Sequence, residues 1–123
     1  TTSTKAELSL AHHLVNTNAK EYVAWWCPHC HEQKLLFRKE AYQIINDSIK
    51  VECDTVPRPP EAIDRRGLNA HPDWCEAANI PGIPTWVIND HQYSGVQNLK
   101  DLAKASGYKG DTNFKYVHTP RFF

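Results

Sequence analysis

The nine residues WWCPHCHEQ, Trp25 to Gln33, put two cysteines at C-x-x-C spacing with one histidine between them and another directly after. Three chemistries share that pattern. C-x-x-C-H is the attachment signature of a c-type haem, and C-x-x-C alone is the dithiol of a redox enzyme. Two cysteines and a histidine, with Cys53 and Cys75 further on, also offer enough ligands for a zinc site. The chain has no Met, which removes the Met/His haem ligation of cytochromes c and leaves His12, His13, His71, His91 or His118 as a second ligand. An apolar strand directly before the motif leaves no obvious haem cleft. For zinc, Cys53 and Cys75 do not form a second C-x-x-C knuckle, and a well-formed α/β core needs no metal to fold.

The dithiol reading uses every residue of the motif. The thiolate is the attacking species. Cys27 at a helix N-terminus would receive unpaired backbone N–H groups and the positive end of the helix dipole, and His29 adds a further donor or a positive charge. A stabilised reduced form makes the disulfide a stronger oxidant. Cys30, shielded on the core side, is placed to act as the resolving partner.

The surrounding elements must hold this geometry. Residues 4–15 read as an opening helix, with Leu8, Ala11 and Val15 at helical spacing, broken by Asn16 to Lys20. EYVAWW, Glu21 to Trp26, has the length and apolar character of a central strand buried on both faces. The next helix begins after Cys27 with Pro28 at its first position, where a missing N–H is harmless. Its apolar stripe is Cys30, Phe37, Ala41, Ile44 and Ile45, so Cys30 faces the core and Cys27 sits at the exposed tip. IKVEC, Ile49 to Cys53, reads as a second strand, parallel to the first through a right-handed βαβ unit. A Pro-rich loop follows from Asp54 to Pro72, with a short helical turn between Pro60 and Gly67. DWCEAAN suggests a short helix from about Pro72. TWVIN and QYSG form a hairpin around Asn89 and Asp90, where Asn-Gly would be the stronger turn. A last helix covers Leu99 to Ser106, with Asn98 and Asp101 as a box-like start and Gly107 as its stop. The tail, 109–123, has no periodicity.

Composition sets the outer limits. A chain of 123 residues, 41% hydrophobic with four Trp, five Tyr and four Phe, suits one domain with one core. Zero net charge argues against a nucleic-acid or membrane-surface binder, and Arg58, Arg65 and Arg66 read as a solvated loop. No apolar run is long enough to span a bilayer, and no signal peptide is evident. The chain is thus expected to be a mature domain or a piece of a longer protein. Four cysteines with one close pair fit a reactive dithiol plus one structural bridge, Cys53 with Cys75, although two buried free thiols would look the same. A bridge favours a setting outside the reducing cytosol.

More than fifty residues beyond Trp26 stands PGIPTW, in which Pro84 precedes an apolar strand expected to pair beside the first. Proline there can be cis and would bring Ile83 and Pro84 against Cys27 and Cys30, with the Ile83 backbone open to an extended substrate. The plainer alternative is a proline that merely starts an edge strand. Together, C-x-x-C after a strand and Ile-Pro-Thr before a hairpin resemble the thioredoxin superfamily over about Glu21 to Tyr108, with the CPHC active site of DsbA-like oxidases. AELSLAHHL, WCPHCHEQKLLF, VEC, PTWVIN, YSG and LAKASGY resemble more closely the thioredoxin-like domain of bacterial and plant homologues of vitamin K epoxide reductase.

That resemblance implies a thioredoxin-like α/β fold: a mixed four-stranded sheet flanked by helices, in a single domain over 1–123 with its core at about 21–108. It implies a thiol-disulfide oxidoreductase that oxidises substrate-protein thiols, with Cys27 as nucleophile, Cys30 as resolving cysteine and Pro84 as cis-proline, supported by Pro28 and His29. The alternatives are a reductase or isomerase using the same dithiol, or a zinc-binding or interaction module. Trp26 and Ile83 would meet substrate, and Cys53 and Cys75 would form a structural disulfide. It further implies no metal and no cofactor beyond the Cys27–Cys30 disulfide. Its partners would be substrate proteins and a membrane-embedded quinone reductase related to vitamin K epoxide reductase, in the periplasm or thylakoid lumen. Glu21 stands where such proteins carry a buried acid able to relay a proton to or from Cys30; an exposed Glu at the strand's edge is an equal reading of the residues. The remaining histidines are expected at the surface, with His31 alone close enough to matter. Two departures stand out: a longer loop between Cys53 and Cys75, able to bear a partner site, and Asp90 where the family often has Gly.

Overall fold

A computed structural model describes residues 2–54 and 70–119. The expected turn from Pro60 to Gly67, the basic residues Arg58, Arg65 and Arg66, most of the loop between Cys53 and Cys75 with its partner site, and the RFF terminus lie outside the described residues.

Helix α1 (Lys5–Asn16) is followed by β1 (Lys20–Val23), α2 (Pro28–Ser48), β2 (Lys50–Glu52), α3 (Pro72–Ala77), β3 (Thr85–Ile88), β4 (His91–Ser94) and α4 (Leu99–Ala105). The sheet order is β2-β1-β3-β4, with β1 parallel to β2 and antiparallel to β3, and β3 antiparallel to β4. The helix between β1 and β2 makes their parallel pairing the expected one, and the two-residue turn makes β3–β4 a hairpin. This is an α/β fold with a mixed four-stranded sheet flanked by helices, as a thioredoxin-like fold requires. Trp86, Phe37, Leu10, Leu14, Ile45, Ile88, Leu99 and Leu102 are its largest fully covered apolar side chains. No described helix is long and apolar enough to cross a membrane.

The strand before the motif is shorter than its apolar run. It ends at Val23, and Trp25 and Trp26 lie in a turn in which the Cys27 N–H donates to Ala24 O at 3.1 Å. The chain must reverse here to start α2 at Pro28, so the aromatic residues leave the sheet. Nor is β1 buried on both faces: Glu21 and Val23 are buried, whereas Lys20 and Tyr22 are half-covered. Helix α2 is kinked at Arg38, which has φ 64° and ψ −179°. Its guanidinium lies 3.7 Å over the Tyr116 ring.

Two further features depart from the sequence pattern. Asn98 caps α4 without a side-chain bond to the helix; its amide donates to His118 O at 3.0 Å, and its carbonyl accepts the His118 N–H at 2.6 Å. The aperiodic tail segment is fastened to the body. Lys115 N–H donates to Glu7 Oε2 at 3.1 Å, and Phe114 and Tyr116 pack against the main core. Glu7, fully buried, also accepts from the Thr4 N–H and hydroxyl at the start of α1, both at 2.6 Å.

Candidate active site

Two neighbouring chain reversals build the site, one after β1 and one before β3. Cys27 is the N-cap of α2 and Pro28 its exposed first residue, so the helix's unpaired N–H groups open toward the Cys27 sulfur. The Cys30 N–H donates to Cys27 Sγ at 3.4 Å. Across from it, the Ile83–Pro84 peptide is cis, and Ile83 O lies 3.9 Å from Cys27 Sγ. Pro84 is buried, and its carbonyl accepts the Gly95 N–H at 2.8 Å, fixing the loop to the end of β4. Val23, Ala24, Cys27 and Cys30 form a small apolar cluster with Ile83 packed against it.

That cluster corrects one expectation. Cys27 is not at an exposed tip: it is 6% exposed and Cys30 5%. The loop that carries Ile83 folds over the helix end, which helical periodicity alone could not show. Both cysteines are free thiols. Burial pushes the Cys30 thiol far above its ordinary range, and the nearby Cys27 sulfur and Glu21 add to the rise against a backbone hydrogen bond at Ala24.

Glu21, on β1, is fully buried. The Tyr42 hydroxyl, from α2, donates to its Oε1 at 2.6 Å. Burial pushes its carboxyl from 4.5 up to about 7, against the Tyr42 hydrogen bond and the positive charges of Lys50 and Lys34. Lys50 is its register partner on β2. A cavity of about 50 Å³ beside the dithiol is lined by Cys27, Cys30, His31, Lys34, Tyr42, Lys50 and Glu52, among others. That is room for a few waters with polar partners.

The tryptophans are held from β2. Buried Glu52 accepts the Trp25 N–H at 3.0 Å and the Asp54 N–H at 3.3 Å, and the Trp26 indole N–H donates to Asp54 Oδ2. The Trp26 ring is 53% exposed beside Cys27, available to a docking partner. His29 is well exposed, and its Nδ1 lies 3.7 Å from Glu32 Oε1; the donor that reaches Cys27 Sγ is the Cys30 amide.

Cys53, after β2, and Cys75, on α3, are joined as a disulfide with Cα atoms 5.9 Å apart. Joined to each other, they have no thiolates to offer a metal in company with Cys27 and Cys30. Among the described residues, no group of three or more His, Cys, Asp or Glu is arranged to hold a metal ion.

Cys27, Cys30, Ile83 and Pro84 therefore meet at one place, with Pro28, His29 and Trp26 at its rim, and Glu21, buried on β1, acts on Cys30 electrostatically. Sequence reasoning missed Tyr42, Glu52 and Gln33. Gln33 is fully buried, accepts from Trp86 Nε1 at 3.1 Å and from the Gln97 N–H at 2.8 Å, and donates to Gln97 O at 3.0 Å. It thereby ties the active-site helix to β3 and the chain after β4. A polar residue one turn after Cys30 on the core stripe was the available signal, and an apolar count passes over it.

No family model matches the chain. Over 106 residues, 85% of its length, it is 40% identical to a protein of Arabidopsis thaliana named thiol-disulfide oxidoreductase LTO1, and it spans about a quarter of that relative's length, 25%.

Proposed function

We propose that this chain is a thiol-disulfide oxidoreductase domain whose Cys27–Cys30 pair oxidises the thiols of substrate proteins. The observation that carries the reading is the meeting of the Cys27 sulfur, at the N-terminus of α2, with the cis Ile83–Pro84 peptide. The name of the Arabidopsis relative supports it.

In the forward half-reaction a substrate thiolate attacks Cys27 Sγ of the oxidised pair. The Cys27–Cys30 bond breaks, its electron pair goes to Cys30, and Cys30 takes a proton from Glu21. A second substrate thiolate then attacks the substrate sulfur of the mixed disulfide and expels Cys27 as a thiolate, stabilised by the helix terminus and the Cys30 N–H. Two electrons move from the substrate dithiol to the enzyme pair. Trp26 and Ile83 form the docking surface, with an extended substrate pairing against the Ile83 backbone. The chemistry asks for no metal and no cofactor beyond the cysteine pair.

The returning oxidant, on this proposal, is a membrane-embedded quinone reductase of the vitamin K epoxide reductase type, in the periplasm or thylakoid lumen. The stretches WCPHCHEQKLLF and PTWVIN support that partner, and the Cys53–Cys75 disulfide supports a compartment outside the reducing cytosol.

The test is a trapping experiment with a reduced two-cysteine substrate peptide. Oxidised protein should convert the peptide to its disulfide and itself become reduced. After activation of the remaining thiol as a mixed disulfide, Cys30→Ser should hold the peptide on Cys27, and Cys27→Ser should hold none. Equal trapping by both variants would refute the assigned roles.

A further inference from the structure

We infer that Tyr42 is a positioning residue for proton transfer in this exchange, holding the Glu21 carboxyl by Oε1 so that Oε2 takes and returns the Cys30 proton. The inference rests on the dithiol reading proposed above and adds to it a residue that touches neither sulfur nor substrate.

Tyr42 and Glu21 are both buried, on facing elements, and their hydrogen bond is 2.6 Å long. Glu21 Oε2 is buried and has no hydrogen-bond partner among the described residues. One oxygen is therefore occupied by a donor and the other is left to a mobile proton. The phenol stays a donor at any working pH, because burial and the facing Glu21 push its own ionisation well above 10. Cys30 and Tyr42 line the same small, partly open cavity, so thiol and phenol border one space.

The other charged groups around the carboxyl are Lys50 from β2 and Lys34 from α2, which favour its ionised form. Cys30, from α2, interacts with it electrostatically, and Glu52, from β2, acts on Tyr42. From β3 the residue opposite Glu21 is Trp86, which carries no charge.

When Cys30 leaves as a thiolate, the Oε2–H bond breaks and an S–H bond forms, leaving Glu21 ionised with the Tyr42 hydroxyl still donating to Oε1. When Cys30 attacks a mixed disulfide at Cys27, the proton returns to Oε2, the Cys27–Cys30 bond forms, and the substrate sulfur departs with the electron pair. Without the Tyr42 donor the ionised carboxyl is less stable, and Glu21 should change state at higher pH.

The experiment uses the reduced chain and dithiobis-nitrobenzoate. The first nitrothiolate released marks the mixed disulfide at Cys27, and the second marks attack by Cys30. The rate of the second release is followed against pH in wild type, Tyr42→Phe and Glu21→Gln, with melting temperatures measured alongside. Wild type should show an inflection set by Glu21, and Glu21→Gln should lack it. Tyr42→Phe should move it upward by about one unit, the scale of one lost hydrogen bond to a charged group. A merely structural tyrosine would change melting without moving the inflection. An unmoved inflection in folded Tyr42→Phe, or one that survives in Glu21→Gln, would overturn the role of Tyr42 and leave the dithiol reading standing. Failure of wild type to give a second release would overturn that reading, and this inference with it. If Tyr42→Phe does not fold, a fluorotyrosine at this position decides: its stronger donor should move the inflection down, and no movement would overturn the proposal.

Discussion

At the scale of single residues, chemistry was legible where spacing carries it and illegible where it depends on contacts across the fold. Cys27, Cys30 and Pro84 announce themselves through local motifs. Glu21 was evenly divided between edge and interior until the structure buried it under Tyr42. Tyr42 and Glu52 belong to separate elements, and nothing near them in sequence points to β1 or to Trp25. The Glu21 carboxyl has a thermodynamic signature. Its value rises from 4.5 to about 7 on folding, so between those limits the native state holds a proton that the unfolded chain has released. Native stability attributable to this group is full below about 4.5, falls as pH rises, and is gone above about 7. A shift of that size is worth roughly 3 kcal/mol. Urea unfolding at pH 5 and pH 8 should therefore show a smaller loss of stability in Glu21→Gln than in wild type. Equal losses in the two proteins would mean that Glu21 does not carry the buried charge.

At the scale of elements, the order of helices and strands followed from hydrophobic periodicity and from proline, glycine and asparagine punctuation. Their ends did not. EYVAWW is apolar throughout, yet the reversal needed to begin α2 takes Trp25 and Trp26 out of the sheet. The kink at Arg38 has no Gly or Pro to mark it. A non-glycine residue in such a conformation costs about 1–3 kcal/mol, and stacking of the guanidinium on Tyr116 offsets part of it. The β3–β4 hairpin turns on Asn89 at φ 51° and Asp90 at φ 65°, both left-handed. Two such residues define the turn that best suits the twist of a hairpin, and glycine is the better choice at the second. Asp90 is exposed and makes room for a simple test. Asp90→Gly should stabilise the protein by about 0.5–1 kcal/mol, the left-handed penalty less the added freedom of the unfolded chain, as measured by thermal unfolding. A loss of stability would mean that the Asp90 side chain contributes more than its backbone strain costs.

For the whole molecule, two fastenings join parts that the local sequence does not connect. Glu7 and Asn98 hold the tail segment against α1 and α4 through bonds to Lys115 and His118, and no periodicity announced that docking. The disulfide from Cys53 to Cys75, with a sequence separation of 22, ties the end of β2 to α3. Closing a loop of that length is worth about 3 kcal/mol in the chain-entropy model. The double variant Cys53→Ala with Cys75→Ala should lose stability on that scale in a denaturant titration; an unchanged midpoint would mean that the bridge constrains little. The central claim, that Cys27 and Cys30 form a reversible disulfide able to oxidise other proteins, is tested most directly by equilibrating the chain in glutathione buffers and reading each cysteine pair by mass after alkylation. The account predicts a reversible Cys27–Cys30 disulfide with a midpoint between about −120 and −200 mV, the range of protein oxidants. A midpoint near about −270 mV would reverse the direction of electron flow, and a pair that never forms a reversible disulfide would contradict the account outright.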